Sequence, residues 1–267
     1  MYGALQCEAV TDPMLCVLEF DGAPDLAVVK MYNNRQGNLS LINELISSQL
    51  CFLFNINLPQ SGICLIDDET IIGGDHSYKA SLDAFEKERN SGPAFYSRYI
   101  TRSIPFSPKL IHYIDKKHIA DMLVFDHLIY NRDRHKGNIL IVVSKDIQLF
   151  LIDHSHVFKN ECIWDCNTFA QGIEENDYLD ESIFDSNNEL YTQSIMYSGL
   201  QKSDVMRAAL EFREKLTPDV LHSIIHEIPH EWSHGIEGDI EALEGYLLYR
   251  VAHLSDIAEL IIRKGGL

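Results

Sequence analysis

Asp133 and Asn138 stand five residues apart in the run NRDRHKGN, and Asp153 follows fifteen residues after Asn138. Two carboxylates and an amide carbonyl are hard oxygen donors, the kind that Mg2+ takes in preference to nitrogen or sulfur. Phosphoryl transfer from a nucleoside triphosphate asks for little else. It needs a held cation, an anchored phosphate chain and an oriented acceptor hydroxyl. The octet sits between FDHLIY and ILIVV, two segments apolar enough to anchor it at both ends.

The remaining parts of such a site occur in the order that protein kinases use. Lys30 closes AVVK on the third expected strand, and Glu44 lies in NELI fourteen residues later, on a helix. On this pattern Asp133 accepts or orients the acceptor's hydroxyl proton, and Asn138 and Asp153 ligate Mg2+. Lys30 holds phosphate oxygens of ATP and Glu44 fixes its ammonium. His135 has two open readings, a hydrogen bond near the metal-binding Asp or contact with the transferred phosphate. Each element alone has a plain alternative: a solubility lysine, a surface glutamate, a solvated charged turn, a helix cap. Order, spacing and expected local structure together favour catalysis.

The elements that would position these groups are legible. ALQCEAV (4–10), MLCVLEF (14–20) and LAVVKMY (26–32) read as strands, with the turns TDP and DGAPD between them. Residues 38–54 carry helical spacing at Leu41, Leu45, Leu50 and Leu53, with Ser40 or Asn38 to cap. LPQSGICLID and PAFYSRYIT supply further strands, with an adenine-receiving hinge expected within 97–105. Residues 113–130 read as a helix with Ile119, Met122, Leu123, Asp126 and Ile129 on one face. ILIVV and LFLID then form a hairpin around SKDIQ, and helices are expected at 203–216, 217–228 and 238–263. The fold class is α+β and bilobal: residues 1–104 as a small β-rich lobe with one main helix, and 105–267 as a larger helical lobe.

Composition narrows the partners. The chain has 267 residues, 22 Lys and Arg against 40 Asp and Glu, and a formal charge of −18. That balance repels nucleic acid and anionic membranes, so neither is expected as a partner. No signal-peptide pattern opens the sequence and no run would span a bilayer, and its six cysteines read as reduced thiols. A cytoplasmic location follows as the expectation. Seven acidic residues (Glu174, Glu175, Asp177, Asp180, Glu181, Asp185 and Glu189) crowd residues 174–189 without a Lys or Arg. They read as a solvated face, with docking of a basic partner as the alternative.

HEIPHEWSH (226–234) matches the zinc-protease pattern HExxH, with His226 and His230 as ligands and His234 or Glu237 as the third. Pro229 falls inside the span. It removes an amide hydrogen and pushes Ile228 out of helical conformation, so one continuous helix face is not expected.

NRDRHKGNILI followed by FLIDHSHVF resembles the HipA-like kinases and, more distantly, the phosphoinositide 3- and 4-kinases with their DRH…N loop. VVKMYN, NELISSQL, LPQSGICLID, GPAFYSRYI and IPHEWSHGIEGDIEALEGYLLYR extend the likeness over most of the chain. It implies a protein-kinase-like fold, ATP and Mg2+, and transfer to a Ser/Thr hydroxyl of a protein. Asp153 is followed by HSH rather than FG, which suits the HipA-like pattern. The turn 11–13 carries no glycine to cradle phosphates. That departure keeps a nucleotide-binding module without transfer as an alternative, beside a small-molecule or lipid kinase. The chain shows no additional N-terminal subdomain of the HipA toxins, so toxin behaviour and a paired antitoxin are not carried over.

Overall fold

The structure is a computed structural model that describes residues 3–4, 13–71 and 87–267. The strand expected over 4–10 lies outside them except at its first residue, as do Thr11 and Asp12 of the first turn.

The small lobe is built on a five-stranded antiparallel sheet in the order β1-β2-β3-β5-β4. Its strands are β1 (Gly3–Ala4), β2 (Met14–Phe20), β3 (Ala23–Lys30), β4 (Ser61–Ile66) and β5 (Gly92–Arg98). The β2–β3 hairpin is tighter than the expected five-residue DGAPD turn. Asp21 and Gly22 alone turn the chain, both at positive φ (51° and 80°), and Ala23 already pairs with Phe20. Two left-handed residues match the twist of paired strands, which is why Asp-Gly is favoured there.

Helix α1 (Leu39–Phe54) crosses behind the sheet. Asn38 occupies its cap position, but the side-chain oxygen accepts from Asn33 N–H at 2.9 Å rather than from the helix. Ser40 lies within the first turn and donates to Gly37 O at 2.8 Å. Twelve of the sixteen residues of α1 are buried, so the helix has no single outer face. The cause is its position. The sheet keeps a small core of its own around Met14, Val29, Met31 and Ala94, whereas α1 belongs to the large core of the helical lobe. Phe54 stacks on Phe212 with ring centres 3.9 Å apart.

The second lobe begins with a three-stranded sheet, β6 (Ser103–Pro105), β7 (Ile139–Val143) and β8 (Ile147–Leu151), in that order. The expected lobe boundary at 104 falls inside β6. Ile147 and Gln148, expected in the loop, extend β8, which leaves Ser144–Asp146 as the turn. Helix α2 (Lys116–Leu128) is capped by Asp115, whose carboxylate accepts from Lys117 N–H, and all five residues of the expected inner face are buried. Then follow α3 (Cys166–Glu174), α4 (Ser182–Ser186), α5 (Asn188–Ser198), α6 (Lys202–Lys215), α7 (Pro218–Ile225), α8 (His230–Ser233), α9 (Glu237–Ala252) and α10 (Leu254–Gly265).

The expected helix over 238–263 is two helices. His253 leaves helical geometry (φ −100°, ψ 15°), and its ring stacks on Tyr178 at 3.9 Å. The break turns α10 onto α6 and α2, where Leu254, Ile257 and Ile261 are buried. Apolar periodicity runs on through the break, so it carried no sequence signal. Among the described residues, no helix is long and apolar enough to cross a membrane.

The acidic stretch is not simply a solvated face. Asp177 is buried and binds Arg250 Nη1 at 2.7 Å and Tyr246 Oη at 2.6 Å. Asp180 accepts from Tyr130, Glu181 holds Arg263 and Lys264, and Glu189 holds Lys136. Arg250 is fully buried and also donates to the carbonyls of His127 and Leu128 at the end of α2. Removing one partner of a buried pair leaves the other charge desolvated and alone. Asp177→Ala is therefore expected to lower stability by about 3–5 kcal/mol. Urea unfolding of the variant within 1 kcal/mol of wild type would contradict this assignment.

Candidate active site

The six predicted site residues come from four separated parts of the chain, and the fold gathers them at the junction of the lobes. Lys30 ends β3, and Glu44 sits one and a half turns into α1. Asp133, His135 and Asn138 follow α2, and Asp153 follows β8. Five of the six line a cleft of about 710 Å³, and Asp133 is joined to it through Asn138.

Lys30 is 6% exposed, and its ammonium donates to Glu44, to Asp153 Oδ1 at 2.8 Å and to Ser155 Oγ at 2.6 Å. Ser155 Oγ lies 2.9 Å from Asp153 Oδ1 and 3.1 Å from Glu44 Oε1, so its proton can serve either carboxylate. Burial works against the charged amine. Glu44 and Asp153 overcome it and hold the Lys30 pKa above its ordinary value. Burial likewise pushes the Glu44 carboxyl up, against the pull of Lys30. Asp153 is affected by the same burial, but Lys30 and the Ser155 hydroxyl bring its carboxyl far below the usual range. Its side chain keeps 37% of its surface exposed, enough for a cation in the cleft to reach it.

Asp153 adopts a left-handed backbone (φ 56°), which aspartate tolerates better than most residues. That turn lets the chain leave β8 and carry Ser155 back toward α1. Asn43, one residue before Glu44, fixes the arrival: its amide donates to Ser155 O at 2.6 Å and its oxygen accepts from Trp164 Nε1 at 2.9 Å.

In the loop after α2, Asp133 N–H donates to Asn131 Oδ1 at 2.9 Å. Asn138 Nδ2 donates to Asp133 O at 2.8 Å, which assigns the amide orientation and leaves Asn138 Oδ1 as a donor atom for a cation. His135 Nε2 lies 3.8 Å from Asp133 Oδ1, while Nδ1 accepts from Gly137 N–H at 2.9 Å. A carboxylate oxygen from Asp153 with the Asn138 carbonyl suits a hard divalent cation. Two imidazoles, His135 and His154, also line the cleft, and Nε2 of His154 is taken up by Arg134.

Arg134 is the residue that sequence reasoning undervalued, because a charge in a charged octet reads as solvated. It is 1% exposed. Nε and Nη2 embrace the Asp126 carboxylate at 2.9–3.1 Å, and Nη1 donates to Asn138 O at 2.9 Å and Ile152 O at 3.1 Å. One guanidinium thus holds the backbone at Asn138 and just before Asp153. Nη2 also donates to His154 Nε2 at 2.8 Å, so burial and the adjacent cation keep that imidazole neutral, its pKa well below normal. The only sequence clue was Asp126 on the buried face of α2, which needs a cationic partner somewhere.

HExxH does not form a site. Helix α7 ends at Ile225, three residues earlier than expected, and Pro229 is extended (φ −57°, ψ 137°). His226 pairs with His222 at 2.9 Å instead of with His230.

A family model described as HipA-like kinase matches residues 6–248. The structure is similar to the Helicobacter pylori proinflammatory kinase CtkA, with a TM-score of 0.58 and 17% identity over 92% of this chain and 89% of that one. It is also similar to HipA of Shewanella oneidensis MR-1, solved with HipB and operator DNA, at TM-score 0.49 and 10% identity. That match covers 99% of this chain and 68% of the other. None of the curated proteins matches the sequence.

Beneath the loop, His127 is fully buried against Tyr191 and Phe184, with Nδ1 on Leu123 O at 2.8 Å. Burial lowers its pKa from 6.5 to about 4. On acidification the unfolded chain takes up this proton first. The contribution is therefore complete above pH 6.5 and is lost as pH falls toward 4, to an extent of about 3 kcal/mol. Urea unfolding at pH 7.5 and 4.5 should show a steeper loss in wild type than in His127→Gln. Parallel losses would remove His127 as the cause.

Proposed function

From the premise that the chain belongs to the HipA-like kinase family, we propose that it transfers the γ-phosphate of ATP to a Ser/Thr hydroxyl of a protein, with Mg2+. The supporting observation is the Lys30 constellation. An ammonium, two carboxylates and a hydroxyl from three distant segments converge on the wall of one cleft.

The cleft divides by chemistry. Val28, Leu58, Phe95, Leu140, Leu151 and Ile152 offer apolar walls for a planar base, beside the chain at Ser97–Ile100. Lys30, Asn138 and Asp153 line the same cleft and offer charge and oxygen donors. That division fits a nucleotide with its cation, and the volume lies within the range of ordinary ligand pockets. Bound there, ATP supplies the transferable phosphoryl group and Mg2+ neutralises the charge that develops on it.

The chain's own residues perform the rest. Asp153 Oδ and Asn138 Oδ1 hold the cation. Lys30 Nζ anchors phosphate oxygens while Glu44 and Ser155 keep the amine in position. Asp133 Oδ accepts the proton of the acceptor hydroxyl, and His135 stands beside it. Arg134 holds the backbone carbonyls of Asn138 and Ile152, the residue before Asp153. The acidic surface, −18 overall, favours a soluble acceptor with basic surroundings over a membrane lipid.

Transfer of labelled phosphate from ATP, with Mg2+, to added protein or to the chain itself tests this reading. Asp153→Asn and Asp133→Asn are each expected to cut transfer by ~10²–10³-fold while the fold is retained. ATP with Mg2+ should raise Tm in wild type and not in Asp153→Asn. Binding without transfer to any acceptor would favour the nucleotide-binding module, the alternative raised by the glycine-free turn 11–13. Absence of binding would reject both.

A further inference from the structure

The broken HExxH motif leaves a different set of ligands behind. Pro229 ends one helical path and starts another, so His230 and His234 fall at i and i+4 on α8 and its cap. Gly235 then turns the chain at φ +84°, a conformation that side chains rarely adopt, and brings Glu237 back to the two rings. One ligand atom from each of His230, His234 and Glu237 lies within 4.8 Å of the other two. The Glu237 carboxylate is already oriented, accepting from Gly235 N–H at 3.0 Å, and stands 3.9 Å from His234 Nδ1. The imidazole rings lie 5.1 Å apart.

We propose that His230, His234 and Glu237 form a binding site for a borderline divalent cation of the zinc type, separate from the catalytic cleft. Two imidazoles and one carboxylate suit Zn2+, Co2+ or Ni2+ and discriminate against Mg2+, which prefers oxygen. Bonds of ~2.1 Å at tetrahedral angles need ligand atoms ~3.4 Å apart. All three side chains are exposed, so they close that gap by rotation and leave positions for water.

The site has a structural role. Between the two histidines, Trp232 is buried and donates from Nε1 to Pro93 O at 2.9 Å, at the start of β5. A cation that joins α8 to the first turn of α9 therefore stiffens the segment through which the helical lobe grips the small-lobe sheet. His222 and His226, with Glu244 on His222 Nδ1 at 3.1 Å, are the nearest competing pair.

The test is calorimetric titration of the full chain, stripped by chelator, with Zn2+ in buffer containing Mg2+. One Zn2+ per chain with a raised Tm is expected. His234→Ala and Glu237→Gln should each weaken binding at least ~10-fold, while His222→Ala and Asp153→Asn leave it unchanged. Co2+ should give the visible bands of a four- or five-coordinate ion, lost in His234→Ala. Circular dichroism checks that the surface variants remain folded. Failure to bind one equivalent, retention of binding in His234→Ala, or loss in His222→Ala would overturn the assignment.

Discussion

A lysine ammonium cannot be taken out of water without anions around it, and the burial of Lys30 sets the terms for the rest of the structure. Desolvating the charge costs several kcal/mol, and two carboxylates and a hydroxyl offset that cost only if their geometry is held. Glu44 comes from α1, Asp153 and Ser155 from the segment after β8, and Lys30 from β3. Satisfying one cation therefore fixes the sheet, the helix and the segment after β8 against one another. Where protein kinases control activity by moving the helix that bears this glutamate, α1 here is embedded in the core of the helical lobe. Swinging it outward would expose Leu41, Leu45, Phe54 and the stack on Phe212.

A second buried cation does the same for the opposite wall. Arg134 presents five donors in a rigid plane, and they meet Asp126, two carbonyls and His154. Lysine could not reproduce that fork. The two carbonyls belong to Asn138 and to the residue before Asp153, and Ile152 N–H donates to Asn138 O at 3.1 Å, so the guanidinium and the backbone pairing together fix these two positions. Asp126 also accepts from Asn131 and Tyr191, which ties the loop to α2 and α5. Each lobe wall thus rests on a desolvated cation with a complete set of acceptors.

Local rules made much of this legible. Alternating apolar residues and Asp-Gly marked the β2–β3 hairpin, helical spacing marked α1 and α2, and the five-residue step from Asp133 to Asn138 marked the loop between anchored segments. Those signals depend on neighbours within a few positions. What escaped them depends on distant partners. Arg134 and Asp177 look like any solvated charge until Asp126 and Arg250 are placed beside them. The break at His253 lies within unbroken apolar periodicity, and there its ring stacks on the distant Tyr178.

The sequence alone thus determined the kinds of element, their order, the chemistry of the cleft residues and the family to which they belong. Those follow from side-chain type and short-range spacing, which folding does not alter. Tertiary structure decided which charges are buried, which carboxylate each cation holds, and which histidines meet near Pro229. Burial and pairing depend on segments tens to more than a hundred residues apart, and only packing brings those segments together.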